Sequence, residues 1–264
     1  MMSSVSLNVL LHVSRTGLQA QQTKMNVLAH NISNINTTGY KSMRAEFQEL
    51  LDGRLTDELR EGSNRVSSEA AGVRLSATQR LFEQGQLEMS AYPWDLAIEG
   101  DGFFQVRLPD GSVGYTRDGS FRLDGEGRLV TADGYMLIPP FALPPDTEDA
   151  MVTPEGVVMV RRRGETDPVP LATITLARFT NPEGLDDSGD NLFRQTVASG
   201  NPVVAPPGTW GMGHLVGHAL EKSNVDLAQE MVDLISTQRA YTLIIHVLQA
   251  SDEMLGMANQ MRSA

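Results

Sequence analysis

Residues 223–255, SNVDLAQEMVDLISTQRAYTLIIHVLQASDEML, decide the fold of this chain. Apolar side chains recur there at every seventh position, and two more fill the complementary positions of the same repeat: Leu227, Leu234, Tyr241, Leu248 and Leu255, with Met231 and Ile245. This repeat predicts a long helix with one continuous apolar side. Ser223, Asn224 and Asp226 predict its start, and no proline follows before Arg262, so the helix would extend about 55 Å at 1.5 Å per residue.

The first 36 residues carry a matching apolar side, which consists of Leu11, Leu18, Met25, Leu28, Ile32 and Ile35. Arg15 and Lys24 are the basic residues of this segment; it contains no acidic residue, and amides supply most of its remaining polarity. Amides can hydrogen-bond to a neighbouring copy without placing like charges together. The segment is therefore interpreted as packed on more than one side, with a simple amphipathic surface helix as the alternative. Its apolar side must be buried against the C-terminal one or against another copy of the chain.

The run Asn36-Thr37-Thr38-Gly39 predicts the end of the first helix, with Gly39 as its left-handed cap. A short second helix is predicted next, with one apolar face made of Met43, Phe47, Leu50 and Leu51. From residue 52 to about residue 71 the chain is polar, which indicates a linker or a mobile loop that neighbouring subunits order.

Residues 91–217 show the alternation that is typical of strands. Phe104, Val106 and Leu108 alternate with their neighbours, and so do Ala172, Ile174 and Leu176. Asp-Gly pairs beginning at positions 110, 118, 124 and 133 predict hairpin turns, and four prolines between 139 and 145 interrupt strand pairing. We predict a compact antiparallel β domain, either a small barrel or a sandwich.

The fold class is therefore α+β, with N- and C-terminal α-helices that form a coiled-coil-like assembly domain around a central antiparallel β domain. The predicted domains are an N-terminal helical assembly region at 1–51, a linker with connecting strands at 52–90, the central β domain at 91–217 and a C-terminal helical assembly region at 218–264. Two long apolar helices at opposite ends of the chain favour assembly over catalysis.

Charge and composition exclude several classes of protein. Lysine and arginine number 21 against 33 acidic residues, so the net charge is 21 − 33 = −12, which argues against a nucleic-acid partner. No apolar run approaches the roughly 18 residues of a membrane span, so an integral membrane protein is not expected. The chain has no cysteine. The apolar patch at 5–13 lacks a preceding basic region, so a cleaved secretory signal is not expected.

Patterns that suggest chemistry are incomplete. His214 and His218 lie four residues apart, but the glycines around them oppose a helix and the zinc-protease glutamate is missing. Gln105 stands where a dinucleotide fingerprint needs its third glycine, and the acidic run at 186–190 lacks the spacing of an EF-hand. We therefore predict a protein that is not an enzyme, with no catalytic, cofactor-binding or metal-binding residue and no cofactor.

Three groups of residues match known motifs in the same order. The first comprises Asn31, Asn34, Gly39, Tyr40 and Lys41; the second lies at residues 95–98, 102–106 and 115–121; the third comprises Ser223, Asn224, Val225, Gln238 and Arg239. Over nearly its whole length the chain resembles the axial proteins of the bacterial flagellum, the rod and hook family, and within it most closely the distal-rod members.

This resemblance implies a structural subunit of the distal rod, located in the basal body where the rod crosses the periplasm. It implies export through the flagellar type III apparatus without signal cleavage, and helical stacking of the terminal helices into a tube that transmits torque from motor to hook. The implied partners are further copies of the chain, neighbouring rod and hook subunits, the ring bushing around the rod and the export apparatus.

The residues expected at the assembly interface are those of the two apolar helical sides. An aspartate at Leu234 or Leu248 should stop assembly while the β domain still folds, and both ends of an isolated subunit should be largely disordered or loosely helical. The alternatives are a proximal-rod or hook subunit, and a ligand-binding or enzymatic β domain that carries helical ends.

Overall fold

The computed structural model describes residues 4–51 and 70–263, and the chain divides into two compact units. The helical unit contains α1 (Ser4–Ser33), α2 (Leu227–Ser263), and a hairpin of β1 (Met43–Leu51) and β2 (Ala70–Arg80). The β unit contains residues 34–42 and 81–225. The predicted α+β class, with terminal helices and a central antiparallel region, is confirmed. Most of the polar stretch predicted as a loop, residues 52–69, lies outside the described residues.

Helix α2 begins at Leu227, a few residues after the cap that the sequence predicted at Ser223 or Asn224, and Asp226 is the capping residue instead. The Asp226 carboxylate accepts hydrogen bonds from the backbone N–H of Ala228 at 2.9 Å and of Gln229 at 3.4 Å, which satisfies donors that the first turn leaves free. The helix continues to Ser263, as the unbroken apolar repeat indicates. No helix in the described part of the chain is both long enough and apolar enough to cross a bilayer.

Helix α1 ends earlier than predicted, at Ser33, and Gly39 is not its cap. The Asn34 carbonyl accepts the backbone N–H of Thr37 at 3.1 Å, and the Thr37 hydroxyl donates to the Asn34 side-chain oxygen at 3.1 Å. Asparagine and threonine offer the backbone these local bonds in place of helical ones, so the chain turns at Asn34. Gly39 does have a left-handed φ of 66°, but it lies in the β unit and serves a different contact there.

The predicted second helix is wrong, because residues 43–51 form strand β1. β1 pairs with β2 in antiparallel register from Met43 opposite Arg80 to Leu51 opposite Ala70. Side chains at 43, 45 and 47 are half-buried, whereas those at 44, 46 and 48 are exposed, which is the period of a strand. Apolar residues at 43 and 47 fit both the helical and the strand period. The strand that decides between a helix and a strand is the partner β2, which begins only at residue 70.

The β unit consists of short strands whose ladders are all antiparallel among the residues described. The strands are β3 (Leu87–Met89), β4 (Leu96–Glu99), β5 (Phe103–Arg107), β6 (Val113–Thr116), β7 (Arg122–Leu123), β8 (Leu129–Val130), β9 (Met136–Leu137), β10 (Thr147–Val152), β11 (Val157–Arg162), β12 (Val169–Thr173), β13 (Leu176–Arg178), β14 (Asp186–Asp187), β15 (Leu192–Arg194), β16 (Val203–Ala205), β17 (His214–Gly217) and β18 (Ala219–Glu221), with a 3-10 turn at Pro182–Gly184. Strands thus begin before residue 91 and continue beyond residue 217.

The largest sheet has the order β14-β15-β6-β5-β9-β8-β7, and β13 joins it by pairing with β5 and β16. Three smaller sheets pair β10-β11-β12, β17-β4 and β18-β3. The segment at 172–176, which alternation predicted as one strand, is divided between two sheets, because β12 ends at Thr173 and β13 begins at Leu176. Ile174 between them is fully buried.

Three of the four Asp-Gly pairs connect paired strands as predicted: those at 110, 124 and 133 join β5 to β6, β7 to β8 and β8 to β9. The pair at 118 does not form a hairpin. Instead the Asp118 carboxylate accepts the Ser120 backbone N–H and the Thr38 hydroxyl, each at 3.0 Å. These bonds hold the chain in a turn and connect it to the segment that follows α1.

Strand β5 lies at the centre of the β unit and is buried on both faces. Phe104 and Val106 pack in the main apolar core, while Phe103 packs in a smaller aromatic cluster with Tyr115 and Phe193. Alternate residues of β5 therefore face two different cores, and neither side of the strand faces solvent. Two cores on opposite sides of one strand hold β4, β5 and β6 firmly in place.

Candidate functional site

The helical unit contains the first candidate site, because α1 packs on α2 and on both strands of the hairpin. On α2 the covered side, here called the inner face, comprises Leu234, Thr237, Tyr241, Ile244, Leu248 and Ser251. On α1, Leu28 is buried, while Leu11, Leu18, Met25 and Ile32 are half-buried. The two apolar sides thus have partners within one chain, which was one of the two alternatives for their burial. The expectation that the ends of an isolated subunit are largely disordered or loosely helical stays a prediction.

The remaining predicted interface residues differ in how far their side chains are exposed. Leu227 and Met231 are exposed, Ile245 is half-buried, and Ile35 is half-buried in the turns of the β unit. The side chain of Leu255 lies outside the described residues.

Thr237, Ile244 and Ser251 form a row at seven-residue spacing within the inner face, and two of the three are small and polar. This row was not identified from the sequence. Thr237 and Ser251 are the most buried residues of α2 in the part described, and Ile244 lies midway between them. The Thr237 hydroxyl donates to the Asp233 carbonyl at 2.7 Å, and the Ser251 hydroxyl donates to the Val247 carbonyl at 2.8 Å. Because each hydroxyl is satisfied within its own helix, small polar residues can be buried at a helix contact at low cost.

The opposite side of α2 is also apolar, and no described element of the helical unit covers it. This outer face comprises Val232, Ile235, Leu243, Val247, Met254 and Met257, all exposed, with Leu243 the most exposed at 65%. Their spacing of three or four residues and its multiples aligns them along one side at 3.6 residues per turn. Val232, Ile235 and Leu243 line a shallow groove together with Arg239. A helix that is apolar on two sides is suited to burial on both.

A buried amide connects the elements of the helical unit at one end of α1. The Asn31 side-chain oxygen accepts the backbone N–H of Met43 at 2.8 Å, and its amide nitrogen donates to the Met43 carbonyl at 2.9 Å and to the Glu230 carboxylate at 3.0 Å. One side chain therefore connects α1, β1 and α2. Among the residues described, the second oxygen of Glu230 has no hydrogen-bond partner. Burial, together with the nearby charge of Asp233, raises the pKa of Glu230.

The β unit contains a buried ion cluster of Lys41, Arg117 and Glu221. The Lys41 ammonium donates to a carboxylate oxygen of Glu221 at 2.6 Å and to the Glu83 carbonyl at 2.7 Å, and the same Glu221 oxygen accepts the backbone N–H of Gly85 at 2.9 Å. Both Lys41 and Glu221 have fully buried side chains. Burial lowers the pKa of Lys41, and Glu221 opposes this shift while Arg117 adds to it.

Arg117 completes the cluster from the other side of the carboxylate. Its guanidinium donates to Glu221 at 3.4 Å and to the Gly100 carbonyl at 2.9 Å, and it lies 5.3 Å from the centre of the Phe103 ring. Burial lowers the pKa of Arg117, and the charge of Glu221 opposes that effect. Two cations and one anion therefore share this site, and the backbone carbonyls of Glu83 and Gly100 supply the rest of the negative potential.

Two glycines let the backbone approach this cluster. A Cβ on Gly39 would lie 2.5 Å from the backbone nitrogen of Asp118, and the Gly39 N–H donates to the Glu221 carbonyl at 2.7 Å. A Cβ on Gly85 would lie 1.9 Å from the Lys222 carbonyl oxygen. The segment after α1 and strand β18 are therefore in close contact here, which only glycine permits.

Asn224 connects two segments of the β unit through three hydrogen bonds. Its side-chain oxygen accepts the backbone N–H of Ser42 at 2.7 Å, and its amide nitrogen donates to the carbonyls of Leu81 at 2.9 Å and Glu83 at 3.2 Å. The motif residues Lys41 and Asn224 therefore meet the same stretch of backbone near Glu83. The structure brings these two ends of the sequence together.

The other motif residues are buried, lie in turns or are exposed on α2. Tyr40 and Val225 are buried, Asn34 lies in the turn after α1, and the Ser223 hydroxyl accepts the Val225 backbone N–H at 3.3 Å. Gln238 and Arg239 are exposed on α2. Sequence reasoning missed Glu221 altogether, since a single glutamate before a helix gives no sign that it is buried between two cations.

No arrangement in the described residues suits a metal ion: histidine, aspartate and glutamate side chains do not gather in groups of three or more there. His214 lies in strand β17, where it is exposed, and His218 follows that strand. The absence of a helix at 211–217, which the glycines predicted, is confirmed.

Three segments of the chain match family models of flagellar proteins. Residues 11–41 match the model described as flagella basal body rod protein, residues 97–160 match the flagellar hook protein FlgE/F/G D1 domain, and residues 216–261 match the flagellar basal body rod FlgEFG protein C-terminal. The matched segments include α1 with the turns after it, the core strands of the β unit, and α2.

Relatives that match nearly the whole chain are also flagellar rod proteins. The flagellar basal-body rod protein FlgG of Borreliella burgdorferi is 41% identical over 262 residues, which cover 96% of this chain and 98% of the relative. FlgG of Agrobacterium fabrum is 42% identical over 95% of this chain and 98% of the relative. FlgG of Bacillus subtilis is 32% identical over 93% and 96%.

Glu221→Ala should destabilise the β unit by about 3–5 kcal/mol, because it leaves two buried cations without their counterion. The matched control is Lys222→Ala, which removes the exposed neighbour paired with Glu88 and should change stability by less than about 1 kcal/mol. Urea unfolding of both variants measures the difference. Equal effects would show that the ion cluster does not hold the β unit.

Glu230→Gln should gain stability relative to the native chain as pH rises. The folded pKa of Glu230 lies above its ordinary value of 4.5, so the native chain holds this proton more tightly when folded and loses stability as pH rises through the folded pKa. The variant lacks this loss. Urea unfolding from about pH 4 to about pH 8 should show a gap between the two proteins that is constant below pH 4.5 and grows above it.

The control for this pH effect is Asp233→Asn, which removes a charge that raises the pKa of Glu230. In that background the gap should grow over a narrower pH range. A gap that does not depend on pH in either background would contradict the assignment of a perturbed carboxyl to Glu230.

Proposed function

Since the chain belongs to the flagellar basal-body rod and hook protein family, we propose that it builds the rod by stacking on further copies of itself through its terminal helices. It is a structural subunit of the distal rod of the flagellar basal body and not an enzyme, as its motifs predicted. The resemblance to the flagellar axial family is confirmed.

The outer face of α2 is the observation that supports stacking. It runs from Val232 to Met257, about 37 Å at 1.5 Å per residue, and its large apolar side chains are exposed within the subunit. A mainly apolar strip of this length is uncommon on the surface of a protein that acts alone. Burying it provides a free energy of association that grows with the apolar area removed from water.

The occupant of the outer face is a helix from another copy of this chain. In a rod the neighbours of a subunit are mostly copies of itself, so the partner surface has to be one that the chain already presents. The face carries a single arginine, Arg239, among its apolar residues, so identical helices can approach without a row of like charges. Contacts between unlike surfaces of identical subunits do not close, and they generate a helical tube.

The predicted interface residues then divide between two roles. Leu234, Tyr241 and Leu248 face α1 and hold the helix pair of each subunit together, whereas Met231 and the outer face make the contact between subunits. Coiled-coil-like packing is thus proposed at two levels, within one chain and between chains.

The cellular setting follows as part of the same proposal. The rod crosses the periplasm and transmits torque from motor to hook, so subunits at its ends contact other rod and hook proteins and those along it face the surrounding ring bushing. The subunits arrive through the flagellar type III export apparatus without signal cleavage. Membership in the rod and hook family supports each of these partners.

Leu243→Asp should abolish rod assembly and swimming while the subunit still folds. An unpaired carboxylate in an apolar contact costs about 3 kcal/mol or more, which weakens each contact at least about a hundredfold. Gln249→Asp is the matched control, since it adds the same charge to an exposed position of α2 outside the outer face. Electron microscopy of isolated basal bodies gives the outcome for assembly, and circular dichroism of the purified subunits gives it for folding.

Leu234→Asp separates the two roles. This half-buried residue faces α1, so the substitution should lower the helix content of the purified subunit as well as stop assembly.

Rods of normal length built from Leu243→Asp subunits would exclude the outer face as the stacking surface.

A further inference from the structure

A tryptophan on the β unit presents most of its side chain to solvent. Trp210 is 79% exposed, and it lies at the tip of residues 206–213, here called the Trp210 loop, immediately before β17. An exposed tryptophan is unfavourable in water unless the side chain has a partner, and tryptophan is strongly enriched among the residues that dominate protein interfaces.

Backbone hydrogen bonds brace the Trp210 loop, so the backbone that carries the indole is held in place. Trp210 has a left-handed φ of 55°, and its carbonyl accepts a hydrogen bond from the Arg178 guanidinium at 3.2 Å. The Thr209 carbonyl accepts the backbone N–H of Met212 at 2.9 Å, and Gly213 donates to the Asp101 carbonyl at 2.7 Å. Met212 is buried in the main core and anchors the loop from below. A loop backbone that is ordered before binding loses little conformational entropy on binding.

A groove of complementary character lies elsewhere on the same β unit. Its volume is about 530 Å³, and its aromatic and aliphatic lining includes Tyr92, Trp94, Phe121, Leu123 and Leu220. Tyr92 is 72% exposed, and Arg122 also lines the groove with an exposed side chain. Aromatic rings and an arginine are the groups that pack most favourably against an indole.

The loop and the groove lie at opposite ends of one short ladder. β17 pairs with β4 from His214 opposite Glu99 to Gly217 opposite Leu96. The Trp210 loop precedes β17 and so lies at the Glu99 end, while Tyr92 and Trp94 precede β4 and lie at the Leu96 end. Four residues of strand separate the two ends by about 13 Å, so Trp210 cannot reach the groove of its own β unit.

We propose that Trp210 of one copy inserts into the groove around Tyr92 and Leu123 of a second copy. This inference rests on the proposed function, since stacked rod subunits supply the second copy. A projecting residue and a groove at opposite ends of one ladder make a head-to-tail contact that repeats from subunit to subunit without closing, which is the contact type that a rod needs. It is separate from the outer face of α2, and it belongs wholly to the β unit.

Disulfide trapping tests the contact, and the chain has no cysteine of its own to interfere. Thr209→Cys lies beside the intact indole, and Arg122→Cys lies in the groove without removing its aromatic lining; Tyr92→Cys is the second groove position. Cells that lack the native copy produce one variant of each kind together. Basal bodies purified from them are oxidised and analysed on a non-reducing gel.

The mixed pair should give at least about tenfold more disulfide-linked dimer than either variant alone, because a disulfide requires Cβ atoms about 3.5–4.5 Å apart. Val197→Cys replaces Thr209→Cys in the control pair, since Val197 is fully exposed in a different turn. Adding Trp210→Ala to Thr209→Cys should reduce the yield about tenfold, and Trp210→Phe should restore part of it.

The outcomes separate this contact from the proposed function. Normal rods in which neither groove position forms more dimer than the control pair would overturn the insertion of Trp210 and leave the stacking of helices untouched. Dimers from Thr209→Cys alone, at the yield of the mixed pair, would also overturn it, because they would indicate a symmetric contact. Normal rods from Leu243→Asp subunits would instead overturn the helical stacking and say nothing against the Trp210 contact.

Discussion

The subunit depends on a helix that is apolar on two opposite sides and that its own chain covers on one. Packing against α1 buries the inner face of α2, including Thr237 and Ser251, whose hydroxyls are already satisfied. No element of the helical unit in its described part covers the outer face. A single subunit therefore folds with one helix contact made and one left open, and the open contact is what connects folding to assembly.

The buried ions serve a different purpose from the apolar faces. An apolar cluster in place of Lys41, Arg117 and Glu221 would avoid the desolvation of three charges, and such replacements often stabilise proteins. The ion cluster, however, is satisfied in only one register of the chain: Lys41 must reach Glu83, Glu221 must accept Gly85, and Arg117 must reach Gly100. We infer that the charges fix how the segment after α1 meets the strand before α2. Apolar side chains would allow that segment to slide.

The parts of the fold that the sequence predicted are those with a long repeat or a local signal. Helix α2 was predicted to within a few residues, since the heptad repeat from Leu227 to Leu255 indicates it, although its cap is Asp226 and not Ser223 or Asn224. Strand β1 was misread because Met43 and Phe47 fit a helix and a strand equally, and only the pairing with β2 decides. Glu221 could not be found, because burial of a charge depends on partners that lie 104 and 180 residues away. The outer face was visible in principle, but the stronger heptad of Leu234 and Leu248 masked it.

Two contact systems in separate units have a mechanical consequence for a shaft that carries torque. Apolar helix faces provide most of the free energy of association, but ridges of similar side chains can slip past one another by a helical turn at modest cost. An indole that is carried on a braced loop and inserted in a groove would resist such slippage, because any displacement of a few ångströms returns Trp210 to water. If the helices hold the rod together and Trp210 sets the position of each subunit on the next, load is shared between a strong contact that can shift and a smaller one that cannot. That division explains why a structural protein keeps its largest exposed aromatic side chain on so firmly braced a loop.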